Sequence, residues 1–171
     1  MSNRISEPAI ASATKGGKYL TFALGNEEYG LQIMKVREII GWMEITAVPR
    51  LPAHVKGVIN LRGRVIPVID LRAKFAMPAI VRTTDTCIIV VEIEHDGRRV
   101  NTGLVVDRVS EVLNIPADQI EEAPTFDASV RCDFLLGLGK VGQRVKILLD
   151  IDKVLSTAEV LSLSSIPKQA A

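Results

Sequence analysis

Two stretches of this chain occur twice, in the same order. The segment "GLQIMKVREII", Gly30 to Ile40, aligns with "GLVVDRVSEVL", Gly103 to Leu113, at a constant offset of 73 residues. Gly, Leu, Val and Glu stand at matching places, and Lys35 falls opposite Arg108. The segment "GVINLRGRVIPVIDL", Gly57 to Leu71, aligns with "GLGKVGQRVKILLDI", Gly137 to Ile151, at an offset of 80. There Gly, Arg, Val and Asp recur, with apolar residues paired at most other places. Self-similarity of this kind marks a repeated supersecondary unit. The chain therefore reads as a duplicated module, one copy in residues 18–80 and the other in 81–151.

The module is made of strands. The sequence is 47% hydrophobic but only 4% aromatic, so its interior has to be built from Val, Ile, Leu and Ala, a composition rich in sheet-forming residues. "YLTFALG" and "EEYGLQI" read as two strands joined at Gly25-Asn26, a pair with turn chemistry. "VREIIGWMEIT" continues extended, "VPRLPAHVKG" is a loop or single helical turn, and "RAKFAM" is a short helical turn. A second series, "TCIIVVEIE", "RRVNTGLVVD", "VSEVLNI", "FLLGLG" and "RVKILLDI", repeats the pattern. Short strands spaced by turn signals build small barrels and sandwiches. "DKVLSTAEVL" places Val154, Leu155, Ala158 and Leu161 at helical spacing, which predicts a helix over 152–163 capped by Asp152. Residues 1–17 lack periodicity and are expected to form a mobile tail, leaving 18–171 as one domain ordered from near Tyr19.

The repeat gives a use to its own mismatches. "GVINLRGRVIPVIDL" predicts a hairpin with Arg62-Gly63 at a tip that faces water. Pro67 cannot donate to a ladder, so its strand is expected at a sheet edge or beside a bulge. Arg62 has Gly142 as its counterpart, so the module's fold does not require an arginine there. Glu38 and Arg62 both project from first-module strands that the repeat makes neighbours. If exposed, the pair contributes about 0–1 kcal/mol, too little to matter for folding. At the edge of an apolar groove the same pair would orient a docking partner and reject wrong ones.

Several function classes fit poorly. Lys and Arg number 21 against 20 Asp and Glu, leaving a net charge of +1 without the single-sign field that nucleic-acid binding draws on. Scarce aromatics provide no stacking platform for RNA. "MSNRISEPAIASATKGGK" has no apolar segment of signal-peptide length, and no later run approaches the roughly 18 apolar residues of a membrane span, so a soluble cytosolic protein is expected. Cys87 and Cys132 form no CxxC pair and read as buried or incidental thiols. His54 and His95 each lack a second ligand at metal spacing, and two histidines assemble no catalytic triad. "GLGKVG" matches a dinucleotide-binding pattern that must open a helix, yet "QRVKILLDI" is strand-like and aligns with the first hairpin. A glycine-rich hairpin is expected there, with no cofactor. Glu27-Glu28 and Glu121-Glu122 read as solvated loop charges.

Taken together, "FALGNEEYGLQIMKVREI", "KGVINLRGRVIPVIDLRAKF", "GLVVDRVSEVL" and "LLGLGKVGQRVKILLDIDKVL" resemble the CheW family of coupling proteins of bacterial chemotaxis, over about residues 18–156 in order and spacing. The resemblance implies an all-β fold of two five-stranded β-barrels packed side by side, without catalytic activity or cofactor. It implies a cytoplasmic adaptor that ties the histidine kinase CheA to the cytoplasmic tips of methyl-accepting chemoreceptors, within membrane-bound receptor arrays. By the same resemblance a receptor's helical hairpin tip would lie in the groove between the barrels. Ile33, Val36, Ile39 and Leu104 would supply its apolar floor, with Glu38 and Arg62 at the rim. Met43, Ile45, Lys56 and Gly57 would face the kinase's regulatory domain, which is similar to the family, so that barrels of the two proteins can pair edge to edge and rings with the kinase can form. The same apolar residues also suit ordinary barrel core, and the residues alone leave both readings open. No receiver domain follows residue 171, so a stand-alone coupling protein is expected.

Overall fold

A computed structural model describes residues 15–95, 97–122 and 134–154; residues 1–14 of the expected 1–17 tail, Cys132 and the predicted helix beyond Val154 lie outside the described residues, and the last residue of that tail, Gly17, is already in a strand. The first hairpin joins β1 (Gly17–Leu24) to β2 (Glu27–Gln32), and a 3₁₀ turn at Ile33–Lys35 carries the chain into β3 (Val36–Gly41). After a long connection, β4 (Val55–Leu61) and β5 (Arg64–Asp70) form the second hairpin, which ends in a helical turn at Leu71–Lys74. Next come β6 (Cys87–His95), β7 (Arg98–Val106), β8 (Arg108–Ile115) and the two-residue β9 (Ile120–Glu121). The third hairpin, β10 (Leu135–Val141) and β11 (Arg144–Leu149), leads into a helical turn at Ile151–Val154.

These strands form two sheets, in the orders β8-β1-β2-β11-β10-β9 and β3-β6-β7-β5-β4. The all-β expectation of two five-stranded bodies holds, with β9 as a short sixth strand on the first sheet. The sheets are not divided at residue 80, however, and the expected partition into 18–80 and 81–151 is corrected by their topology. Each sheet takes strands from both halves, joined by a parallel seam: β2 beside β11, with Gly30 opposite Leu148, and β5 beside β7, with Val68 opposite Gly103. The reason lies in β1, which is buried continuously from Tyr19 to Leu24. A two-stranded hairpin cannot cover both faces of such a strand, so the β1–β2 pair inserts between β8 and β11 of the second half.

Each sheet curls about a cluster of its own. Ile59, Leu61, Ile66, Val68, Ile88 and Val90 fill the second sheet, and Tyr19, Ile115, Ile120 and Leu148 fill the first. The largest cluster lies between the sheets, drawing Phe22, Leu24 and Leu31 from one and Ile69, Ile89 and Leu104 from the other. Phe22, Tyr29, Phe75 and Phe134 stack in one column against it, with successive ring centroids 5.7, 5.9 and 5.4 Å apart.

Local chemistry sets the ends of these elements. Asp70 accepts from the Arg72 N–H at 3.0 Å, and its repeat partner Asp150 accepts from the Asp152 N–H at 3.2 Å. The expected cap at Asp152 is thus corrected to Asp150, and the terminal helix opens at Ile151. Pro67 also differs from expectation, because β5 lies between β4 and β7 and the bulge sits elsewhere, between Val55 and Gly57. Opposite Pro67, Val58 directs its own backbone groups away to Thr46 (2.8 and 2.9 Å). The Pro67 nitrogen therefore faces the β7 side, where pairing begins only at Val68, and no ladder bond is lost. "GLGKVG" forms β10 and its turn rather than a helix, and a Cβ at Gly137 would lie 2.9 Å from the Glu121 carbonyl, so the glycine permits the β9 contact.

Candidate functional site

The β4–β5 turn holds Arg62 at φ 53° and Gly63 at φ 86°, both left-handed, as a two-residue turn between strands of right-handed twist requires. The Gly63 N–H donates to Asn60 Oδ1 at 2.9 Å. At the matching β10–β11 turn the first position is Gly142, at φ 60°. A side chain in this conformation costs about 1 kcal/mol, which glycine avoids and Arg62 does not. The Arg62 side chain is 70% exposed, and its guanidinium donates to the Glu38 carboxylate. Glu38 is on β3 and Arg62 follows β4, the two outer strands of the second sheet, so the pair spans the sheet's open side. Further along that side, the Thr46–Val58 backbone bonds close the gap.

An apolar row runs inward from this rim. Ile39, Ile89, Leu104 and Ile69 stand opposite one another across β3, β6, β7 and β5. Ile39 is 45% exposed, whereas Leu104 is 1% exposed within the cluster between the sheets. Leu104 is therefore core, and its expected place on a docking floor is corrected. Val36 is half-buried against the same cluster, and the depth of the expected crevice is filled by the molecule's own side chains. What remains open is the outer margin. Ile33 (37% exposed) and Met34 (73%) sit in the turn that crosses from the first sheet to the second, and Ile39 continues the strip on β3. Lys35 anchors that turn, donating to Asp152 at 2.7 Å, while Asp152 also accepts from the Glu94 N–H at 2.9 Å.

The second expected set gathers around the Thr46–Val58 closure. Met43 and Ile45 are half-buried on the second sheet's own cluster. Lys56 is exposed on β4, with Nζ 3.9 Å from the Asp70 carboxylate. Gly57 is buried where a Cβ would lie 2.0 Å from the Thr46 carbonyl oxygen, so its role in the fold is backbone contact.

Two charged junctions escape a reading along the chain. Arg72 grips Asp107 with both ends of its fork, at 2.8 and 2.7 Å, and donates to the Pro78 carbonyl at 2.7 Å. Asp107 also accepts from the Gly25 N–H at 2.7 Å, tying the first hairpin to the helical turn that follows β5. The hydrogen bond from Arg72 holds the Asp107 carboxyl below its usual range despite partial burial. In the first sheet, buried Lys146 donates to Glu28, and this bond lowers the Glu28 carboxyl despite burial. Glu28 is thus no solvated loop charge; Ser110 donates to it at 3.2 Å and Arg108 lies 3.8 Å away. The signal was in the repeat, since Lys146 aligns with apolar Ile66. Cys87 is half-buried, and burial pushes its thiol up. Among the described residues no group of His, Cys, Asp or Glu is placed to hold a metal, and no helix is long and apolar enough to cross a membrane.

Comparison with known proteins bears on this geometry. The profile of the CheW-like domain matches residues 18–159. A Chemotaxis protein CheW of Klebsiella aerogenes is 44% identical over 159 residues, covering 93% of each chain. One of Bacillus subtilis is 32% identical over 163 residues, covering 94% of this chain and 99% of the relative. Among solved structures, the scaffolding protein TtCheW from Thermoanaerobacter tengcongensis superposes with a TM-score of 0.74 at 34% identity, over 84% of this chain and 95% of that one. The duplicated strands, the two curled sheets and these matches together place this chain in the family of CheW-like domain proteins.

Proposed function

We propose that this protein is a non-catalytic adaptor of bacterial chemotaxis that couples chemoreceptors to the histidine kinase CheA in the cytoplasm, at membrane-bound receptor arrays. The observation that carries the receptor side is Arg62. It occupies a left-handed turn position where the repeat has glycine, and it points its charge across the rim to Glu38 beside an exposed apolar strip. A residue kept at a backbone cost the fold could avoid is well explained by a partner. The receptor's helical tip docks on Ile33, Met34 and Ile39, with Val36 beneath and the Glu38–Arg62 pair fixing orientation, a helix laid on an apolar surface with a charged rim.

The kinase side uses the β4 margin of the second sheet, further along from the Arg62 turn. There β4 is an outer strand with Lys56 exposed, and Met43, Ile45 and Gly57 support the edge on which the kinase's regulatory domain pairs. Two moderate contacts in one array gain effective concentration, so neither has to be tight alone. Co-sedimentation of the full chain with receptor cytoplasmic fragment and CheA is the test. A ternary assembly that needs this protein is expected, and recovery of the same receptor–kinase assembly without it contradicts the proposal.

A further inference from the structure

We propose that Met34 is an oxidant-sensitive site, whose conversion to the sulfoxide weakens docking on the Ile33–Met34–Ile39 strip. The inference rests on the receptor reading above and adds a chemical control to it. Met34 is 73% exposed on the 3₁₀ turn, so its thioether meets solvent directly. The other described methionines are sheltered: Met43 packs on the second sheet's cluster and Met77 on the central one. Cys87 competes poorly, being half-buried with little thiolate.

The oxidant is a hydroperoxide. The sulfur lone pair attacks one peroxide oxygen, the S–O bond forms as the O–O bond breaks, and the proton on the new S–OH group passes, directly or through solvent, to the departing hydroxide, leaving the sulfoxide and water. Sulfur loses two electrons and peroxide gains them. The product is neutral but strongly polar, so an apolar contact becomes a hydrated one. The turn itself is held by Lys35–Asp152, and Met34 belongs to none of the three apolar clusters, so the lesion changes the surface without opening the fold. Full loss of a methionine's apolar contact corresponds to about a tenfold or greater fall in affinity.

The test treats the full chain with millimolar hydrogen peroxide and maps oxidation by peptide mass spectrometry. Met34 should oxidise several times faster than Met43 and Met77, and added receptor fragment should slow it. Titration of the oxidised protein with receptor fragment should show about tenfold weaker binding, reversed by methionine sulfoxide reductase. Met34→Leu should show no further loss on peroxide treatment, relative to its own untreated affinity. Equal oxidation of the three methionines overturns the inference, as does unchanged binding after full oxidation of Met34. Ile39→Lys separates the two claims. If it weakens binding while oxidation does not, the docking surface stands and the control by oxidation fails; if it too leaves binding unchanged, the docking reading fails.

Discussion

Arg62 donates to Glu38 across the open side of the second sheet, from a turn in which its own backbone is strained. An exposed ion pair returns about 0–1 kcal/mol, no more than the left-handed conformation takes away. Arg62→Gly should therefore leave folding stability equal to the parent or up to about 1 kcal/mol higher, as read by urea denaturation. A loss above about 2 kcal/mol would show that the arginine is a structural prop.

Gly57 makes the opposite prediction. A Cβ there would meet the Thr46 carbonyl oxygen at 2.0 Å and its carbon at 2.7 Å, with φ at 144°. Gly57→Ala should destabilise the protein by roughly 2–4 kcal/mol through the Thr46–Val58 closure. Faster exchange of the Thr46 and Val58 amides in that variant would locate the damage.

The Glu28–Lys146 pair occupies places where the second sheet has Asn101 and Ile66, taking the offset of 73 two residues back from Gly30 and the matching parallel seams as the guide. Lys146→Ile alone leaves a shielded carboxylate without its main donor and should cost roughly 3 kcal/mol. Adding Glu28→Asn, which copies the other sheet's pair, should recover at least about 1 kcal/mol of that loss. Additive costs in denaturation of the single and double variants would mean the two side chains act independently.

Stability should decline at both pH extremes. Asp107 and Glu28 have folded values lowered first by hydrogen bonds from Arg72 and Lys146, so their contribution is present above the unfolded range of about 4 and is lost as pH falls through the lowered values. Buried Tyr19 is pushed up to about 12 by desolvation, so its contribution holds below the unfolded value near 10 and is lost from there up to about 12. Denaturation midpoints measured across pH should be flat between about 5 and 9. Asp107→Asn should flatten the acid limb, and Tyr19→Phe the alkaline one.

The repeat was legible because both halves keep the residues that shape a strand-turn-strand unit: Gly30 and Gly103, Gly57 and Gly137, Asp70 and Asp150. The hairpins and their caps follow from such local chemistry. The exchange of strands between halves was not legible, since β2 pairs in parallel with a strand more than a hundred residues away and nothing local encodes that choice. Ile39 and Leu104 carry the same kind of side chain on the same apolar row, and only the elements packed above them make one exposed and the other core. Glu28 looked like a loop charge because its partner Lys146 arrives across the same seam. The Glu38–Arg62 pair could be anticipated because both residues lie in one repeat copy, close to the edge strands that bring them together.

The central claim is that Arg62 and the strip beside it receive a chemoreceptor tip. Calorimetric titration of receptor cytoplasmic fragment into parent and Arg62→Gly proteins tests it most directly, because that variant removes the guanidinium and its side chain from the rim at a turn position where glycine is the unstrained residue. The account predicts at least about tenfold weaker binding with an undiminished thermal midpoint. Equal affinity of the two proteins for the fragment would contradict it.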